Sequence, residues 1–235
     1  MNESRRRVFR LLSCGWGFLV ILTAAGCGGP IENRHVRLLF DADRPAQPLQ
    51  VINRSTGRSF ALSTAAPLLQ FKEGQVGGPQ VRPFRAAARL SPGSLSLVIE
   101  YPQQRVGSGQ ILMRRVITLP GGSSLIRQHV EFDAVDLPGS SGAPQLTLER
   151  VVLLDEPLPE PVEFTMPGWQ SYPVFTESLF FGVEFPVASA MVKDGRIILS
   201  HAPGVVMKLD ASYRSREAVI GVCPPGRVRE SFERY

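Results

Sequence analysis

The sequence predicts an all-β protein, a two-sheet antiparallel β-sandwich, and three observations support this fold class. Short apolar runs alternate with polar residues along most of the chain, which is typical of strands with one buried face. The 22 glycines and 20 prolines are spread along the chain and separate those runs, as turn residues do between antiparallel strands. No window shows clean helical periodicity bounded by capping residues. A long series of short strands without helices implies two packed sheets.

The first predicted strands are HVRLLFD (35–41) and the run LQVINRSTGRSFAL (49–62). The second run predicts a hairpin that turns near Ser55, Thr56 and Gly57, because turn-favouring residues separate two apolar segments there. Three further alternating runs follow in the sequence: PLLQFKE (67–73), FRAAARL (84–90) and SLSLVIEY (94–101).

The run ILMRRVITLPGGSSLIRQHVEFDA (111–134) predicts the longest hairpin, with its turn at residues 121–124. Side chains alternate between the two faces of a strand, so the second strand of this hairpin has one apolar face and one polar face. The first face holds Ile126, Gln128, Val130 and Phe132, and the second holds Arg127, His129 and Glu131. We expect the first face in the core and the second at water or a ligand.

The remaining strands are predicted in the second half of the chain. LTLERVVLLDE (146–156) is followed by the proline-spaced EPLPEPVEF (156–164), which predicts an extended, unpaired connection because proline donates no ladder hydrogen bond. The final third adds SLFFGVEF, ASAMVKD, RIILSH, VVMKLD, EAVIGV and VRESFERY as strand candidates.

The N-terminus has the organisation of an export signal. Four arginines between residues 5 and 10 precede an apolar stretch (11–23) that is shorter than the roughly 20 residues of a membrane-spanning helix. The segment LTAAGC resembles the lipobox of bacterial lipoproteins, which implies that Cys27 is acylated and anchors the chain to a membrane. Ordinary cleavage near Ala25 is the alternative. We therefore expect a signal peptide (1–26), a short tether (27–33) and one sandwich domain (34–235) in the bacterial cell envelope, on an outer-membrane or periplasmic surface.

Charge and cysteine content exclude several classes of function. Residues 1–26 hold four arginines and one glutamate of the chain's 26 basic and 21 acidic residues, so the remainder has a net charge of +2 instead of +5. No long basic run survives there, and we expect no nucleic-acid partner. Without Cys14 and an acylated Cys27, only Cys223 remains, which excludes internal disulfides and CxxC metal sites. Cofactor signatures such as GxGxxG are absent, so we expect neither cofactor nor metal.

Four segments carry a family resemblance: RRVITLPGGSSLIRQHVEF (114–132), PGWQSYPVF (167–175), FFGVEFP (180–186) and AVIGVCPPGRVRESFERY (218–235). Together they resemble the N-terminal β-supersandwich domain of bacterial glycoside hydrolases related to α-galactosidases. The resemblance implies a galactose mutarotase-like sandwich, followed in that family by a (β/α)₈ barrel that holds the catalytic carboxylates. The chain stops where such a barrel would begin, so no catalytic residue is carried over and we expect no hydrolase activity.

Glu184 is the one carboxylate in the apolar run SLFFGVEFPVASA (178–190). Strand alternation places it on the same face as Phe180 and Gly182, away from the main core. A glutamate in such a run is expected to pair with an arginine across the sheet, because a buried unpaired charge is costly. The resemblance implies the alternative that this face meets a sugar or the barrel, with Glu184 bonding to hydroxyls and Gly182 allowing close approach.

The loop GWQSYPVF (168–175) supplies the other candidate ligand contacts. The resemblance implies that Trp169 and Tyr172 stack on the apolar face of a pyranose, while Gln170 bonds to its hydroxyls. The alternative for Trp169 is a hydrophobic plug over the edge of the sandwich.

A sugar epimerase of this fold would need a histidine acid and a glutamate base. His35 lies near the N-terminus of the mature chain, His129 is expected to be solvated on a polar strand face, and His201 ends a strand just before a loop. A pair formed by His201 and Glu184 is therefore the candidate for such chemistry.

The leading hypothesis is an envelope-anchored, non-catalytic sandwich that binds carbohydrate or docks onto a separate glycosidase barrel. A purely structural envelope lipoprotein and an aldose mutarotase-like enzyme are the two alternatives. The identity of the sugar and the oligomeric state are not encoded in any motif of the sequence.

Overall fold

The computed structural model describes residues 30–136, 145–165, 171–185 and 187–234. Cys27, Trp169 and Gln170 lie outside the described residues. Within the described ranges, no helix combines the length and the apolar character needed to cross a bilayer.

Twenty strands and one short helix occupy the described ranges. The strands of the first half are β1 (Ile31–Glu32), β2 (Val36–Leu39), β3 (Leu49–Asn53), β4 (Ser59–Leu62), β5 (Ala66–Phe71), β6 (Gly74–Gly78), β7 (Arg85–Ser91), β8 (Ser94–Glu100), β9 (Gln104–Val106) and β10 (Gly109–Pro120). The elements of the second half are β11 (Leu125–Asp136), β12 (Gln145–Pro157), β13 (Val162–Phe164), β14 (Val174–Thr176), β15 (Leu179–Val183), β16 (Ala188–Lys193), β17 (Arg196–His201), β18 (Val205–Lys208), β19 (Ser212–Arg214), β20 (Ala218–Val222) and α1 (Val228–Glu233).

The described strands form three antiparallel sheets. The N-terminal sheet has the order β1-β2-β3-β4, and the large sheet has the order β13-β14-β15-β20-β11-β10-β8-β7, with β19 beside β11 and β9 beside β10. The six-stranded sheet has the order β16-β17-β12-β5-β6, with β18 beside β12. The predicted all-β antiparallel architecture is confirmed. The prediction of two sheets differs, because β1–β4 pair only with their sequence neighbours and form a separate meander.

One hydrophobic core joins the three sheets. Buried side chains of the N-terminal sheet (Leu38), the large sheet (Ile117, Phe132) and the six-stranded sheet (Leu69, Leu199) belong to the same cluster. The sheets are therefore layers of one sandwich, since each contributes its apolar face to a shared interior.

Most predicted strands and both predicted hairpins are confirmed. The turn between β3 and β4 includes Gly57 at a φ of +73°, and the turn between β10 and β11 includes Gly122 at +74°. Glycine adopts this left-handed conformation without the steric cost that a Cβ atom adds. The tether predicted for residues 27–33 is shorter than expected, because Ile31 is buried and β1 already pairs with β2.

Two local predictions are wrong. The segment VRESFERY contains the helix α1 rather than a strand, and it places Val228 and Phe232, four residues apart, against one sheet face. The connection EPLPEPVEF is shorter than predicted, because β12 continues to Pro157 and β13 pairs with β14.

A polar group of four residues, here called the interior cluster, links the three sheets: the buried Arg115, Gln128 and Glu156 and the partly buried Ser63. Arg115 Nε donates to Gln128 Oε1 at 3.0 Å, and Arg115 Nη1 donates to the Ser63 carbonyl at 2.7 Å. The amide of Gln128 donates to the Leu153 carbonyl of β12, and Ser63 N–H donates to Glu156 Oε1. Each of these contacts satisfies a group that would otherwise be buried without a partner.

The strand β11 separates the interior from the outer face of the large sheet. Ile126, Gln128, Val130 and Phe132 are almost completely buried on the inner side, as predicted. Arg127, His129 and Glu131 lie on the outer side, where they meet residues of the neighbouring strands.

Candidate functional site

The candidate site is a pocket of about 470 Å³ at the junction between the large and six-stranded sheets. The segment 213–217, which connects β19 to β20, forms one wall, and residues from the ends of β15 and β17 form the others. We call this the junction pocket. Its volume falls within the range of roughly 300–1,000 Å³ that is usual for small-molecule sites.

His201 closes one wall of the junction pocket. It is the last residue of β17 and follows the buried Ile197 and Leu199 at two-residue spacing, so its side chain points inward. The residue is only 3% exposed, and neither ring nitrogen has a hydrogen-bond partner among the described residues. The edge-on ring of Phe185 packs against the imidazole, with the centroids 5.9 Å apart.

The imidazole of His201 is uncharged at neutral pH. Burial, reinforced by the positive charge of Arg216, lowers its pKa to about 4. A neutral imidazole has one donor and one acceptor nitrogen. Both nitrogens are buried, so a ligand hydroxyl can bond to either of them only after a side chain of the pocket wall moves.

Arg216 supplies an exposed positive charge at the same pocket. Its guanidinium carbon lies 4.8 Å from the centroid of the Phe185 ring, which is a cation–π contact. Its guanidinium makes no hydrogen bond or ion pair with any described residue.

Two carboxylates line the pocket, and arginines hold both. Arg127 Nη1 donates to Glu184 at 2.7 Å and to Glu217 at 3.0 Å, and Arg214 donates to Glu217 at 2.9 Å. Burial raises the pKa of Glu217, but the hydrogen bonds from Arg127 and Arg214 outweigh it and leave the pKa below its usual value. The acceptor oxygens on this wall are therefore largely occupied.

Strand register explains why these charges meet. Across the outer face, Arg127 of β11 is opposite Val219 of β20, which is opposite Gly182 of β15. Glu184 directly follows β15, and Glu217 directly precedes β20. The Glu184 N–H donates a backbone hydrogen bond of 2.9 Å to the Glu217 carbonyl. Both glutamates are therefore placed beside Arg127. The predicted pairing of Glu184 with an arginine is confirmed, although Glu184 is exposed and follows the last residue of β15.

The prediction for His129 is wrong. It was expected to be solvated, but it is only 5% exposed, with Nε2 lying 3.1 Å from Glu131 Oε1 and Nδ1 lying 3.8 Å from Glu217 Oε1. Burial is the largest influence and lowers the pKa of His129. His35, expected to be peripheral, lies half-buried at the start of the N-terminal sheet and contacts Arg34.

The other candidate residues do not join this pocket. Tyr172 is half-buried in an aromatic cluster, where its ring lies 6.0 Å from both Phe164 and Phe175. The helix α1 covers that cluster through Phe232, whose ring packs edge-on against Phe175. The part of the outer face next to Phe180 is therefore buried within the chain.

The expected role of Gly182 as a point of close approach is not what the structure shows. A Cβ at Gly182 would meet Pro173 at an ordinary 3.5 Å. The position that requires glycine is Gly221, because a Cβ there would lie 1.9 Å from the Phe180 ring. Trp169 and Gln170 lie outside the described residues, so their predicted ligand contacts stay predictions.

The analysis of the sequence missed Arg216, Glu217 and Tyr213. The charged run SREAVI (215–220) just before a buried strand was the available signal. It could not be assigned to a site because its neighbours depend on the pairing of β20 with β11 and β15. Among the described residues, no group of three histidine, cysteine or acidic side chains is arranged to hold a metal ion.

Comparison with known proteins identifies structural likeness but no family. No family model matches the chain, and no curated protein matches it. Two solved structures from Enterococcus faecalis are similar in fold: an α-mannosidase from strain V583, with 10% identity and a TM-score of 0.47, and a protein in the glycosyl hydrolase family 38, with 12% identity and a TM-score of 0.48. The matches cover 85% of this chain but only 30% and 31% of those chains. With TM-scores below 0.5, these likenesses say nothing about the substrate of this chain.

Proposed function

We propose that the protein is an exported, envelope-anchored β-sandwich that binds carbohydrate in the junction pocket and does not break glycosidic bonds itself. The observation that carries the proposal is His201, a buried imidazole without a hydrogen-bond partner among the described residues, in the wall of a ligand-sized pocket. A buried polar group without a partner costs about 1–3 kcal/mol, so a ligand hydroxyl that reaches His201 once a wall side chain moves would recover part of that cost.

The groups around His201 suit a sugar. Phe185 supplies an aromatic ring beside the pocket, and Tyr213 and Arg216 supply polar groups at its wall. Carbohydrates combine hydroxyls with apolar C–H faces, and a concave site with a few convergent polar groups and an aromatic ring can bind both.

The carboxylates of the pocket argue against glycoside hydrolysis. That reaction needs a protonated carboxylic acid and a second, reactive carboxylate on opposite sides of the scissile bond. Glu217 has a lowered pKa, and both Glu184 and Glu217 are hydrogen-bonded by arginines. Glu217 is therefore not prepared to act as the general acid, which usually has a raised pKa.

A second candidate, an aldose mutarotase-like enzyme, rests on one observation: His201 and Glu184 line the same pocket. The lowered pKa of His201 works against it, because a neutral imidazole is a weak proton donor at pH 7. Anomer exchange of free aldoses, followed by NMR, tests this reading. Catalysed exchange that is lost in both His201→Phe and Glu184→Gln would favour the enzyme over the binding module.

Binding is tested with a glycan array and calorimetry on the purified protein. We expect binding to at least one glycan, abolished by His201→Phe and retained by His35→Phe, a matched substitution in the N-terminal sheet. Circular dichroism confirms that both variants are folded. The substitution Trp169→Ala tests the predicted stacking residue in the same assay. Absence of binding to every glycan would overturn the proposal and leave a structural lipoprotein, or a module that docks onto a glycosidase barrel, as the remaining account.

The envelope anchor is proposed from the sequence of residues 1–27. Under this proposal, two residues, Gly28 and Gly29, separate Cys27 from Pro30, the first described residue, and the three steps between them span at most about 11 Å. The sandwich would therefore lie close to the membrane. Labelling with a palmitate analogue should modify the protein and should fail for Cys27→Ser, whereas Cys14→Ser should be labelled normally. Labelling of Cys27→Ser would contradict the anchor.

A further inference from the structure

Two donor groups of the junction pocket have no hydrogen-bond partner among the described residues, whereas both oxygens of Glu217 and one oxygen of Glu184 already accept hydrogen bonds from arginines. The carboxylates of Glu184 and Glu217 accept hydrogen bonds from Arg127 and Arg214. The guanidinium of Arg216 and the hydroxyl of Tyr213 make no hydrogen bond with a described residue. The ligand that complements such a site carries strong acceptors.

Arg216 is held in place to receive an anion. Its contact with the Phe185 ring limits the guanidinium's freedom without using its N–H groups. A guanidinium with free N–H groups binds a carboxylate through two parallel hydrogen bonds, a geometry that lysine does not offer. Less conformational entropy is lost on binding when the donor is already positioned.

The location of Arg216 links it to the other free groups. Its positive charge lowers the pKa of His201 and opposes the rise that burial causes in the pKa of Tyr213. All three side chains line the junction pocket, and Arg216 and His201 both contact the Phe185 ring. An anion bound by Arg216 would place its sugar ring next to the imidazole of His201 and the hydroxyl of Tyr213.

We infer that the junction pocket binds an acidic sugar, a hexuronic acid residue whose carboxylate is received by Arg216. This inference rests on the proposed carbohydrate-binding function and specifies its ligand class. The ring hydroxyls bond to Tyr213, and Arg127 and Arg214 offset the negative charges of Glu184 and Glu217, so that these carboxylates repel the anion less.

The test compares trigalacturonate with its methyl ester, which has the same rings without the charges. We expect calorimetry to show at least about tenfold tighter binding of the acid. Arg216→Gln should remove that preference by weakening binding of the acid much more than binding of the ester. Arg105→Gln is the matched control, because Arg105 is exposed on β9 of the large sheet, and it should change nothing.

An NMR titration of the His201 imidazole supplies a second readout. The charged groups that face it are Arg216, which lowers its pKa, and the pocket residues Arg214, Glu184 and Glu217. A bound carboxylate should raise the pKa of His201, because it offsets the charge of Arg216, and the ester should leave it unchanged.

The outcomes separate this inference from the proposed function. Equal affinity for acid and ester overturns the inference and leaves carbohydrate binding intact. A preference for acid that persists in Arg216→Gln also overturns it, since the anion would then bind elsewhere. Failure of both ligands, and of every other glycan, overturns the proposed function as well.

Discussion

Arg115 and Arg216 have opposite surroundings, and the contrast separates structure from candidate function. Arg115 is 3% exposed within the interior cluster, where Gln128 and Ser63 accept its hydrogen bonds. Arg216 is exposed at the junction pocket, where its guanidinium lies over the Phe185 ring. A network whose donors and acceptors are matched internally stabilises one fold, whereas unmatched donors at a pocket leave capacity for a ligand.

The largest expected effect is at the interior cluster. Arg115→Met should lower the free energy of unfolding by about 3–5 kcal/mol, because removing one member of a buried polar network leaves its partners unsatisfied. The carbonyls of Gln128 and Ser63 would lose their donor. Burial already raises the pKa of Glu156, and the positive charge of Arg115, which opposes that rise, would be gone. Urea denaturation followed by circular dichroism measures the change. Arg105→Met is the exposed control, and equal stability of the two variants would contradict the assignment.

The buried His201 of the junction pocket should make the stability of the protein depend on pH. The pKa of His201 is about 4 in the folded protein, below its ordinary 6.5, so the unfolded chain binds this proton more readily. His201 therefore contributes stability above pH 6.5 that is lost as the pH falls towards 4, on the order of 3 kcal/mol.

The matched measurement uses His201→Phe, which has no titratable group and should lose correspondingly less stability between pH 6.5 and pH 4. Urea midpoints collected across that window give the comparison. Parallel pH profiles for the wild type and the variant would show that the imidazole is not buried in its neutral form.

An intermediate effect should appear as coupling inside the interior cluster. Gln128→Leu alone removes the acceptor of Arg115 and the donor to Leu153. The double variant Arg115→Met, Gln128→Leu should cost about 1–3 kcal/mol less than the sum of the single variants, since each single change strands the other partner. A double-mutant cycle from urea denaturation measures this. Simple additivity would mean that the two side chains do not act as a unit.

The smallest effect is expected at the exposed ion pair of the pocket. Glu184→Gln should change stability by less than about 1 kcal/mol, because both Glu184 and Arg127 are partly exposed and solvent screens the pair. Glu177→Gln, which breaks the exposed pair with Arg58, is a matched control of similar geometry. Thermal melts in low and high salt provide the comparison. A loss much larger than that of the control would assign Glu184 a structural role.

Local patterns predicted much of the fold. The alternation in the second strand of the 111–134 hairpin correctly placed Gln128 with the apolar side chains, and the turns at Gly57 and Gly122 were located from their residues. These succeeded because alternation and turn chemistry depend on neighbours in the sequence. The helix α1 was missed because its six residues offer only one apolar i, i+4 pair to recognise, Val228 and Phe232.

The site was predicted only in part. Glu184 and His201 were named from sequence, and the structure brings both to the junction pocket, whereas Tyr172 lies in the aromatic cluster beneath α1. The burial of His129 could not be foreseen, since it depends on where Glu217 and Arg127 lie across strands.

The sequence by itself determined the strands, the hairpins and the separation of apolar from polar faces, because these follow from side-chain chemistry at a spacing of two residues. Only the tertiary structure decided that Glu184, His201 and Arg216 share a pocket. They come from the ends of strands in two different sheets, and their meeting depends on long-range pairing of β20 with β11 and β15. Strand register over such distances is set by the packing of the whole core, which no local pattern encodes.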